Sequence, residues 1–569
     1  MRREMNGGEA IVASLNEAGI TTTLGIVGSS IIEVFDLLPK AGLRYIGVRH
    51  EQVAGHMADA FARVGGKPAA CIVQNGAGVT NILTGVATAY RARSPMIVLS
   101  GSPTSSQLYK DTYQELNHVA VMAPVTKWSH SVNRADRLPE AIQRAVREAL
   151  SPPFGPTFVD VPRDYLYELF GGEILKREAF MAAGVSRPTD AEVDQTVAIL
   201  RDAKHPVILA GGGIAWSDAS ADVATLAQRL SAPICTTYGH NDAVDNREPW
   251  YVGPLGRGGS KAAMRAFAQA DVVLAIGTRM DPFTFLPYYG DGYVPAQARF
   301  VQIDNDARRI GQNRPIELGI CADAGETARA ILQRLGSEAS ASAFRIEEIR
   351  SYVTDWQREL EENARWDGSV LSMEAAYAAL AEVMPSDAIR VLDIGSSPSF
   401  SYSMFTYSKP RTLIPPLGLG GVGFALPAAL GARLAAPNAP VVALLGDGAY
   451  SMGFTALFTA YEHSLPFVAV VFDNGAWGAE KANQQYFYDR NYVGTNLKSP
   501  DIVALSKEMG AFSVTATNAA EIKDAFRQAL RAETFSVVRI PVDPERFPLP
   551  ARRDALKKPE RRIYTGASV

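Results

Sequence analysis

The segment 441–478, VVALLGDGAYSMGFTALFTAYEHSLPFVAVVFDNGAWG, contains two apolar runs that each end on a polar residue beside glycine. The first run ends at Asp447, in GDG, and the second ends at Asn474, in DNG, 27 positions further on. A helical stretch lies between them. Parallel strands joined by a crossover helix bring their carboxyl ends to one edge of a sheet. We therefore expect Asp447 and Asn474 to be neighbours.

The two polar residues suggest a metal and phosphate site. Carboxylate and amide oxygens, together with a carbonyl from the next turn, are ligands that Mg²⁺ accepts when it is also bound to phosphate. The flanking glycines allow the backbone to approach a phosphate closely. GDG or DNG alone is equally consistent with a tight turn, whereas the pair joined by strand, helix and strand is more specific.

The rest of the chain repeats the alternation of short apolar runs and helical segments. This pattern predicts an α/β fold with doubly wound parallel sheets. Segments without apolar periodicity, 171–190 and 336–342, separate three units. We predict α/β domains over 1–170, 190–340 and 365–545, followed by a basic tail over 546–569 that is either a solvated appendage or a lid.

Composition restricts the classes of partner. The 569 residues are 47% apolar and 20% charged with a net charge of -4, so nucleic acid is not an expected partner. No run of about 18 apolar residues is present, and the amino terminus lacks an apolar signal core. We therefore expect a cytoplasmic protein that does not enter a membrane.

Longer motifs extend these patterns to a family. GDG followed by the asparagine resembles the thiamine diphosphate signature, and GGVGFALPAALGA (420–432) resembles the diphosphate-binding half of the acetolactate synthase superfamily. GVRHEQVAGHMADAFARVGGKPAACIVQNGAGVTN (47–81) is similar to its pyrimidine-binding half, and the middle unit to its Rossmann-like central domain. Within the superfamily, GSKAAM (259–264), WGAEKANQQYFYDRNYVGTNL (477–497) and RRDALKKP (552–559) resemble the sulfoacetaldehyde acetyltransferases.

The resemblance implies which residues hold the cofactor. Glu51 would hydrogen-bond the pyrimidine ring and promote loss of the C2 proton; considered alone, it could equally be a solvated helix residue. Val422 would support the bent cofactor as a stiff β-branched side chain. The implied Mg²⁺ ligands are Asp447, Asn474 and the carbonyl of Ala476. The implied cofactor-binding residues are Glu51, Gly420, Val422, Asp447, Gly448, Ala449, Asn474, Ala476, Trp477 and Gly478.

Polar residues after the amino-terminal strands are candidates for the substrate side. Uncharged donors there could hold a developing oxyanion, although asparagine and serine also cap loops locally. Besides Glu51, the candidate catalytic residues are Gln114, Ser29 and Asn75. The weaker substrate candidates are Val27, Gly28, Gln74, Glu480 and Lys481. His118 and His130 are candidate proton carriers, with a structural role as the alternative.

The predicted activity is thiamine diphosphate- and Mg²⁺-dependent cleavage or formation of a C–C bond beside a carbonyl, or acyl transfer. The substrate would be a small 2-oxo acid or aldehyde. The alternative is an acyl-CoA thioester, as in 2-hydroxyacyl-CoA lyase and oxalyl-CoA decarboxylase; a cofactor-binding protein without activity is a further alternative. Glycine-rich turns in the middle unit leave FAD or ADP open there, but neither is favoured. The family assembles its site between subunits, so we expect a homodimer or homotetramer.

Overall fold

A computed structural model describes residues 3–256, 258–285, 293–336, 343–366, 368 and 370–546. Three six-stranded sheets, each entirely parallel, are flanked by helices. This confirms the predicted fold class. Of the predicted basic tail over 546–569, residues 547–569 lie outside the described residues.

The amino-terminal sheet has the strand order β3-β2-β4-β5-β7-β6, and β1 pairs with β8 in a separate antiparallel ribbon. Its longest strands are buried along their whole length, as expected for a parallel sheet covered on both faces. The strands are β1 (Arg3–Asn6), β2 (Thr22–Gly25), β3 (Arg44–Gly47), β4 (Ala70–Val73), β5 (Met96–Ser102), β6 (Trp128–Ser131), β7 (Pro156–Pro162) and β8 (Leu169–Gly172). The helices are α1 (Gly7–Glu17), α2 (Ile32–Leu37), α3 (Glu51–Gly65), α4 (Ala77–Ala92), α5 (His118–Met122) and α6 (Leu138–Leu150).

The central sheet has the order β11-β10-β9-β12-β13-β14 and its own hydrophobic core. Glycine-rich turns follow β9 and β12, where Gly213 and Gly277 approach so closely that a Cβ on either would clash with the other's backbone. The strands are β9 (Pro206–Ala210), β10 (Ile234–Thr236), β11 (Tyr251–Pro254), β12 (Val272–Ile276), β13 (Arg299–Asp304) and β14 (Leu318–Cys321). The helices are α7 (Asp190–Asp202), α8 (Gly213–Trp216), α9 (Ser220–Leu230), α10 (Lys261–Ala268), α11 (Ala324–Leu335) and α12 (Ala343–Asn363).

The carboxyl-terminal sheet has the order β16-β15-β17-β18-β20-β19, so the two strands of the opening segment are neighbours. The strands are β15 (Ile389–Leu392), β16 (Leu413–Ile414), β17 (Val441–Gly446), β18 (Val468–Asp473), β19 (Phe512–Thr515) and β20 (Ser536–Pro541). The helices are α13 (Met373–Ala381), α14 (Ser396–Ser399), α15 (Ser401–Met404), α16 (Ala425–Ala435), α17 (Asp447–Gly453), α18 (Ala456–Glu462), α19 (Gly478–Phe487), α20 (Ile502–Glu508) and α21 (Ala519–Arg531).

The amino- and carboxyl-terminal domains share one hydrophobic core, which forms where α3 packs on α16. Glycine makes this approach possible: a Cβ on Gly431 of α16 would lie 2.0 Å from the carbonyl oxygen of Met57 in α3. The helix that begins at Glu51 is therefore held against the helix that follows Val422. Among the described residues, no helix has the length and apolar character needed to cross a bilayer.

Candidate active site

Asp447 follows β17 and begins α17 at the carboxyl edge of the sheet. The residue is 1% exposed, and neither carboxylate oxygen has a hydrogen-bond partner among the described residues. Burial, and then the nearby charge of Asp473, raise the pKa of the Asp447 carboxyl to about 7. A buried carboxylate without donors is a group that a cation would stabilise.

The loop after β18 supplies oxygen atoms beside Asp447. Asn474 Oδ1 accepts from the Ala476 N–H at 3.2 Å, which leaves a second lone pair on that oxygen. The Ala476 carbonyl accepts no hydrogen bond among the described residues. Asp473 is committed elsewhere, since one of its oxygens caps the Gly475 N–H and the other pairs with Arg539 at 2.6 Å. One free carboxylate, one amide oxygen and one free carbonyl fit the donor set that Mg²⁺ requires.

Close-packed glycines shape the space around these donors. A Cβ on Gly448 would lie 2.5 Å from the Trp477 ring, and a Cβ on Gly478 would lie 2.4 Å from Ser396 Oγ. Ser396 and Ser397 follow β15 and reach the same space, but the sequence analysis did not select them. The sequence does contain a pattern that could have identified these two serines. DIGSS (393–397) is a polar, glycine-containing segment at the end of an apolar run, like GDG and DNG.

Val422 lies on a turn that a buried carboxylate holds in place. Asp393 accepts from the Gly423 N–H at 3.0 Å and from the Ala425 N–H at 2.7 Å. Burial raises the pKa of Asp393 to about 6, while the backbone N–H donors oppose that shift. Gly420 and Gly423 have φ values of 72° and 87°, a region that favours glycine. Val422 is thereby presented, half-buried, on a turn with little freedom.

A cavity of about 600 Å³ lies where the three domains meet, with Arg91, Arg93 and Phe154 contributed by the amino-terminal domain. The predicted cofactor residues that line it are Gly420, Val422, Gly448, Ala449, Ala476, Trp477 and Gly478, together with the substrate candidate Glu480. From the central domain it takes the turns at Gly212, Gly213 and Gly277. Glu51 and the other amino-terminal candidates, Val27, Gly28, Ser29, Gln74, Asn75 and Gln114, are absent from its described lining.

Three arginines line the central part of this cavity. Arg93 pairs with Asp304 at 3.1 Å and with Asp306 at 3.2 Å, whereas Arg279 donates to the carbonyl of Arg91. Burial, and then the charge of Arg93, lower the pKa of Arg279 to about 10. Three acidic residues, Asp281, Asp304 and Glu480, also line the cavity, so the described wall carries charges of both signs.

Glu51 is the first residue of α3. The His50 ring caps this helix by accepting from the Gln52 N–H at 3.2 Å. Glu51 is only 7% exposed, so it is not the solvated helix residue considered as an alternative. Its Oε2 accepts from Asn81 Nδ2 at 2.9 Å. A Cβ on Gly78 would lie 3.4 Å from Oε1, so the lack of a side chain there leaves room beside the carboxylate.

Gln74, Asn75 and Gln114 form one hydrogen-bond network. Gln74 Nε2 donates to Gln114 Oε1 at 2.9 Å, and Asn75 Nδ2 donates to the Gln114 carbonyl at 3.3 Å. Gln74 Oε1 accepts from the backbone and hydroxyl of Ser30 at 3.0 and 2.9 Å. The structure thus brings three candidates together and adds Ser30, which the sequence analysis did not select.

The remaining candidates lie outside this network. Val27 and Ser29 follow β2 with exposed side chains, and a Cβ on Gly28 would clash with Gln74. Lys481 is buried and forms an ion pair with Glu545 at 3.0 Å, and it is absent from the described lining of the cavity. Glu480, by contrast, is exposed at the cavity wall.

The two candidate histidines have different surroundings. His118 is buried, and its ring lies between Asp160 and the N–H of Gly76. His130 stacks on Trp128 with ring centroids 5.1 Å apart. Burial, and then the charges of Arg137 and Arg144, lower the pKa of His130.

Comparison with known proteins agrees with this geometry. The family models for the thiamine pyrophosphate enzyme N-terminal TPP binding domain, central domain and C-terminal TPP binding domain match residues 5–121, 193–331 and 393–540. The chain is 35% identical to the sulfoacetaldehyde acetyltransferase of Castellaniella defragrans, over 98% of this chain and 96% of that protein. It is 36% identical to that of Rhodobacter capsulatus, over 97% and 96%.

A second group of relatives is also similar along nearly the whole chain. Identity to a probable acetolactate synthase large subunit of Methanocaldococcus jannaschii is 30%, over 95% of this chain and 92% of that protein. These matches confirm the resemblance that the sequence motifs predicted. Because all three domain models match in order, the chain belongs to the thiamine pyrophosphate enzyme family and is a thiamine diphosphate-dependent enzyme similar to its acyltransferases and carboligases.

Proposed function

We propose that this chain is a thiamine diphosphate- and Mg²⁺-dependent acetyltransferase that acts on sulfoacetaldehyde. Its similarity to sulfoacetaldehyde acetyltransferases over almost its entire length carries the proposal. Forming an acetyl group from sulfoacetaldehyde requires the sulfonate to leave as sulfite. With phosphate as acceptor, sulfoacetaldehyde and phosphate would give acetyl phosphate and sulfite.

The carboxyl-terminal domain would hold the cofactor's diphosphate through Mg²⁺. Asp447, Asn474 and the Ala476 carbonyl would be the protein ligands, and the orphaned carboxylate of Asp447 supports this assignment. Ser396 and Ser397 would add hydroxyl donors to the phosphates. When bound, thiamine diphosphate supplies a C2 carbanion that attacks carbonyl carbons and accepts electrons from the bond that breaks.

The residues of the chain would orient the cofactor and control proton transfer. The Val422 turn, held by Asp393, would support the cofactor from below. Glu51 would hold a proton at the pyrimidine ring, where its buried position excludes competing water. Gln114 and Asn75 would direct amide groups towards the oxygen of the substrate carbonyl.

We further propose that two copies of the chain complete each active site. The diphosphate-side residues line a cavity that Glu51 does not reach within the described part of one chain. The Glu51 side of one protomer would then face the Asp447 side of its partner. The minimal active unit would be a homodimer, and a homotetramer would contain two such dimers. Sedimentation of the holoprotein would distinguish these states, and a fully active monomer would exclude the arrangement.

A substrate panel tests the proposed activity. The holoenzyme should form acetyl phosphate and sulfite from sulfoacetaldehyde and phosphate faster than it converts pyruvate or 2-hydroxyacyl-CoA thioesters. Pyruvate condensation as the fastest reaction would establish the acetolactate synthase type, for which the second group of relatives argues. Reaction of thioesters alone would establish the lyase alternative.

The central-domain part of the cavity raises the question of a second nucleotide. We propose that it holds no flavin, since the resemblance to sulfoacetaldehyde acetyltransferases does not favour one. Purified protein should therefore show no flavin absorbance, and denatured protein should release no flavin on chromatography. Stoichiometric flavin in the purified protein would contradict this proposal.

A further inference from the structure

His118 and Asp160 form a buried pair on the amino-terminal sheet. His118 begins α5, and Asp160 lies in β7; the residues are 2% and 6% exposed. His118 Nδ1 lies 2.8 Å from Asp160 Oδ1, while the other oxygen of Asp160 accepts from the Ser131 hydroxyl at 3.0 Å. Both oxygens of the carboxylate are therefore engaged.

The other nitrogen of the ring fixes the tautomer. The Gly76 N–H donates to His118 Nε2 at 2.9 Å. Because a backbone N–H can only donate, Nε2 must carry the lone pair, and the single ring proton must lie on Nδ1 facing Asp160. In this tautomer, His118 links Asp160 in β7 to the turn after β4 through its two ring nitrogens. Neither nitrogen is left to bind a substrate.

The turn that His118 holds has an unusual backbone. Gly76 has φ 60° and ψ -104°, and a Cβ there would lie 2.9 Å from the Gln114 carbonyl oxygen. Gln114 also has a positive φ, at 61°. Non-glycine residues adopt this region rarely, so the surrounding contacts must keep Gln114 there.

Gly76 connects the buried pair to the candidate substrate side. Asn75, its neighbour, donates to the Gln114 carbonyl, and Gln74 Nε2 donates to the Gln114 side chain. Gln74 and Asn75 thus hold Gln114 from both its backbone and its side chain. A shift of the Gly76 turn would move all three amide groups together.

We propose that His118 and Asp160 are positioning residues, which hold the Gly76 turn so that Asn75 and Gln114 present their amide groups to the reacting carbonyl, while Gln74 donates to both of them and holds them in place. This inference rests on the proposed function for the role of the amides. The pair acts through Gly76 and does not contact substrate. The essential group is the Nε2 acceptor, and Asp160 ensures that this nitrogen is unprotonated.

Two conservative substitutions of His118 distinguish the contribution of Nε2 from that of Nδ1. His118→Gln can place an amide oxygen near the position of Nε2 and so retain an acceptor for Gly76, whereas His118→Asn mimics only Nδ1 and retains the contact with Asp160. If Gly76 is the point of action, H118N should lower kcat/KM about 10- to 100-fold, as expected for misplaced reacting groups. H118Q should stay within about fivefold of the wild type.

Measurements on the cofactor distinguish positioning from a general loss of structure. Both variants should bind thiamine diphosphate like the wild type, because the proposed diphosphate site lies in the carboxyl-terminal domain, outside the network. His205→Asn is the control, since His205 is an exposed histidine of the central domain, immediately before β9. It should leave kcat/KM unchanged.

Equal losses in H118N and H118Q, or an H118N enzyme with wild-type kcat/KM, would overturn the proposal. If H118N does not fold, Asp160→Asn and Asp160→Leu carry the same test: the asparagine retains an acceptor for Nδ1–H and should stay active, and the leucine should not. Equal activity of these two variants would also overturn it.

Hydrogen–deuterium exchange of the peptide spanning 74–81 in the holoprotein needs no substrate. It should be faster in H118N than in H118Q, and equal rates would refute the positioning role. A wild-type enzyme inactive on the whole substrate panel, with this exchange ranking retained, would refute the proposed function alone.

Discussion

The carboxylates of Asp447 and Glu51 are both buried, but among the described residues only that of Glu51 has a side-chain hydrogen-bond donor. Glu51 accepts from Asn81, whereas neither oxygen of Asp447 has a hydrogen-bond partner among the described residues. The pKa of Asp447 is raised to about 7, the response of a charge that lacks compensation. The described carboxyl-terminal domain thus leaves a buried carboxylate without a donor, whereas Asn81 supplies a donor to Glu51 in the amino-terminal domain; under the proposed function, a cation would complete the first site.

The same difference extends to the surroundings of each carboxylate. In the amino-terminal half, the amides of Gln74, Asn75 and Gln114 bond to one another. In the carboxyl-terminal half, the oxygens of Asp447 and Ala476 are left open. We infer that cofactor affinity depends mainly on the carboxyl-terminal half and cofactor activation on the amino-terminal half, and this division can be broken by single substitutions.

The largest effect is expected for Glu51→Gln. The amide retains the shape of the side chain but cannot share a proton with the pyrimidine ring, so turnover and C2 proton exchange should fall about 10²- to 10⁴-fold. Affinity for thiamine diphosphate should change little. NMR after an acid quench measures the rate of C2 proton exchange, and calorimetric titration measures the affinity for the cofactor. Undiminished C2 exchange in the variant would contradict the role assigned to Glu51.

Asp447→Ala should weaken binding of the cofactor and leave its activation largely unchanged, the reverse of Glu51→Gln. Loss of the charged ligand should weaken binding of thiamine diphosphate in the presence of Mg²⁺ by about 10- to 100-fold. Cofactor that does bind should still exchange its C2 proton. The readout is calorimetric titration with Mg²⁺ and cofactor, and wild-type affinity would show that GDG serves only as a turn.

The raised pKa of Asp447 adds a pH dependence to metal binding. The carboxyl must lose its proton to bind Mg²⁺, so Mg²⁺ affinity should fall about tenfold for each pH unit below about 7. In the metal-free protein, the stability gained from the raised pKa is fully present below the ordinary value of 3.8 and is lost as the pH rises through 7. Titrations of Mg²⁺ at pH 6 and pH 8 test this linkage, and equal affinities would contradict it.

The sequence was sufficient to predict the three parallel sheets because their main strands are strongly patterned. The two apolar runs of segment 441–478 coincide with β17 and β18, and each of the three predicted units contains a parallel sheet. Short strands such as β16 and β19 are harder to predict, since two to four residues at a sheet edge carry little periodicity. The adjacency of Asp447 and the Asn474 loop followed from the register of two neighbouring strands.

Side-chain partners that are distant in sequence could not be predicted. Ser29 and Ser30 are indistinguishable by type, and only the turn geometry points Ser30 at Gln74. Lys481 was proposed to meet substrate because nothing local indicates its ion pair with Glu545, 64 positions later. Periodicity and motif spacing report local structure, whereas the direction of a side chain depends on contacts made across domains.

A smaller effect is expected for Asp393→Asn, which tests the support beneath Val422. The folded pKa of Asp393, about 6, exceeds its ordinary 3.8, so its contribution to stability is fully present below 3.8 and lost as the pH rises through 6. The wild type should therefore gain stability relative to D393N between pH 7 and pH 5, by at most about 1.4 kcal/mol per pH unit. Thermal unfolding at both pH values measures the difference, and a constant gap would contradict the assigned burial.

D393N should also loosen the Val422 turn. Its amide group would place an N–H against the N–H of Gly423 or Ala425, so one donor loses its acceptor. We expect C2 exchange to slow about tenfold, as for a slightly misplaced reacting group. Asp242→Asn is the matched control, because Asp242 is a buried carboxylate of the central domain that likewise accepts from two backbone N–H groups, those of Thr412 and Leu413; an equal slowing in both variants would argue against a specific role for Asp393.

The smallest effect is expected at Lys481, and the comparison with its neighbour Glu480 makes it informative. The Lys481 side chain is 8% exposed and paired with Glu545, whereas Glu480 is exposed on the cavity wall. Lys481→Met should therefore change KM for sulfoacetaldehyde and for a neutral aldehyde alike, within about twofold, since Lys481 is held by Glu545 and is absent from the described lining of the cavity. Glu480→Gln removes a negative charge beside an anionic substrate and should lower KM for sulfoacetaldehyde about two- to threefold at low salt, an advantage that added salt should screen. If K481M instead raises KM for the sulfonate selectively, the ion pair with Glu545 must open during turnover, and Lys481 would be a substrate ligand after all.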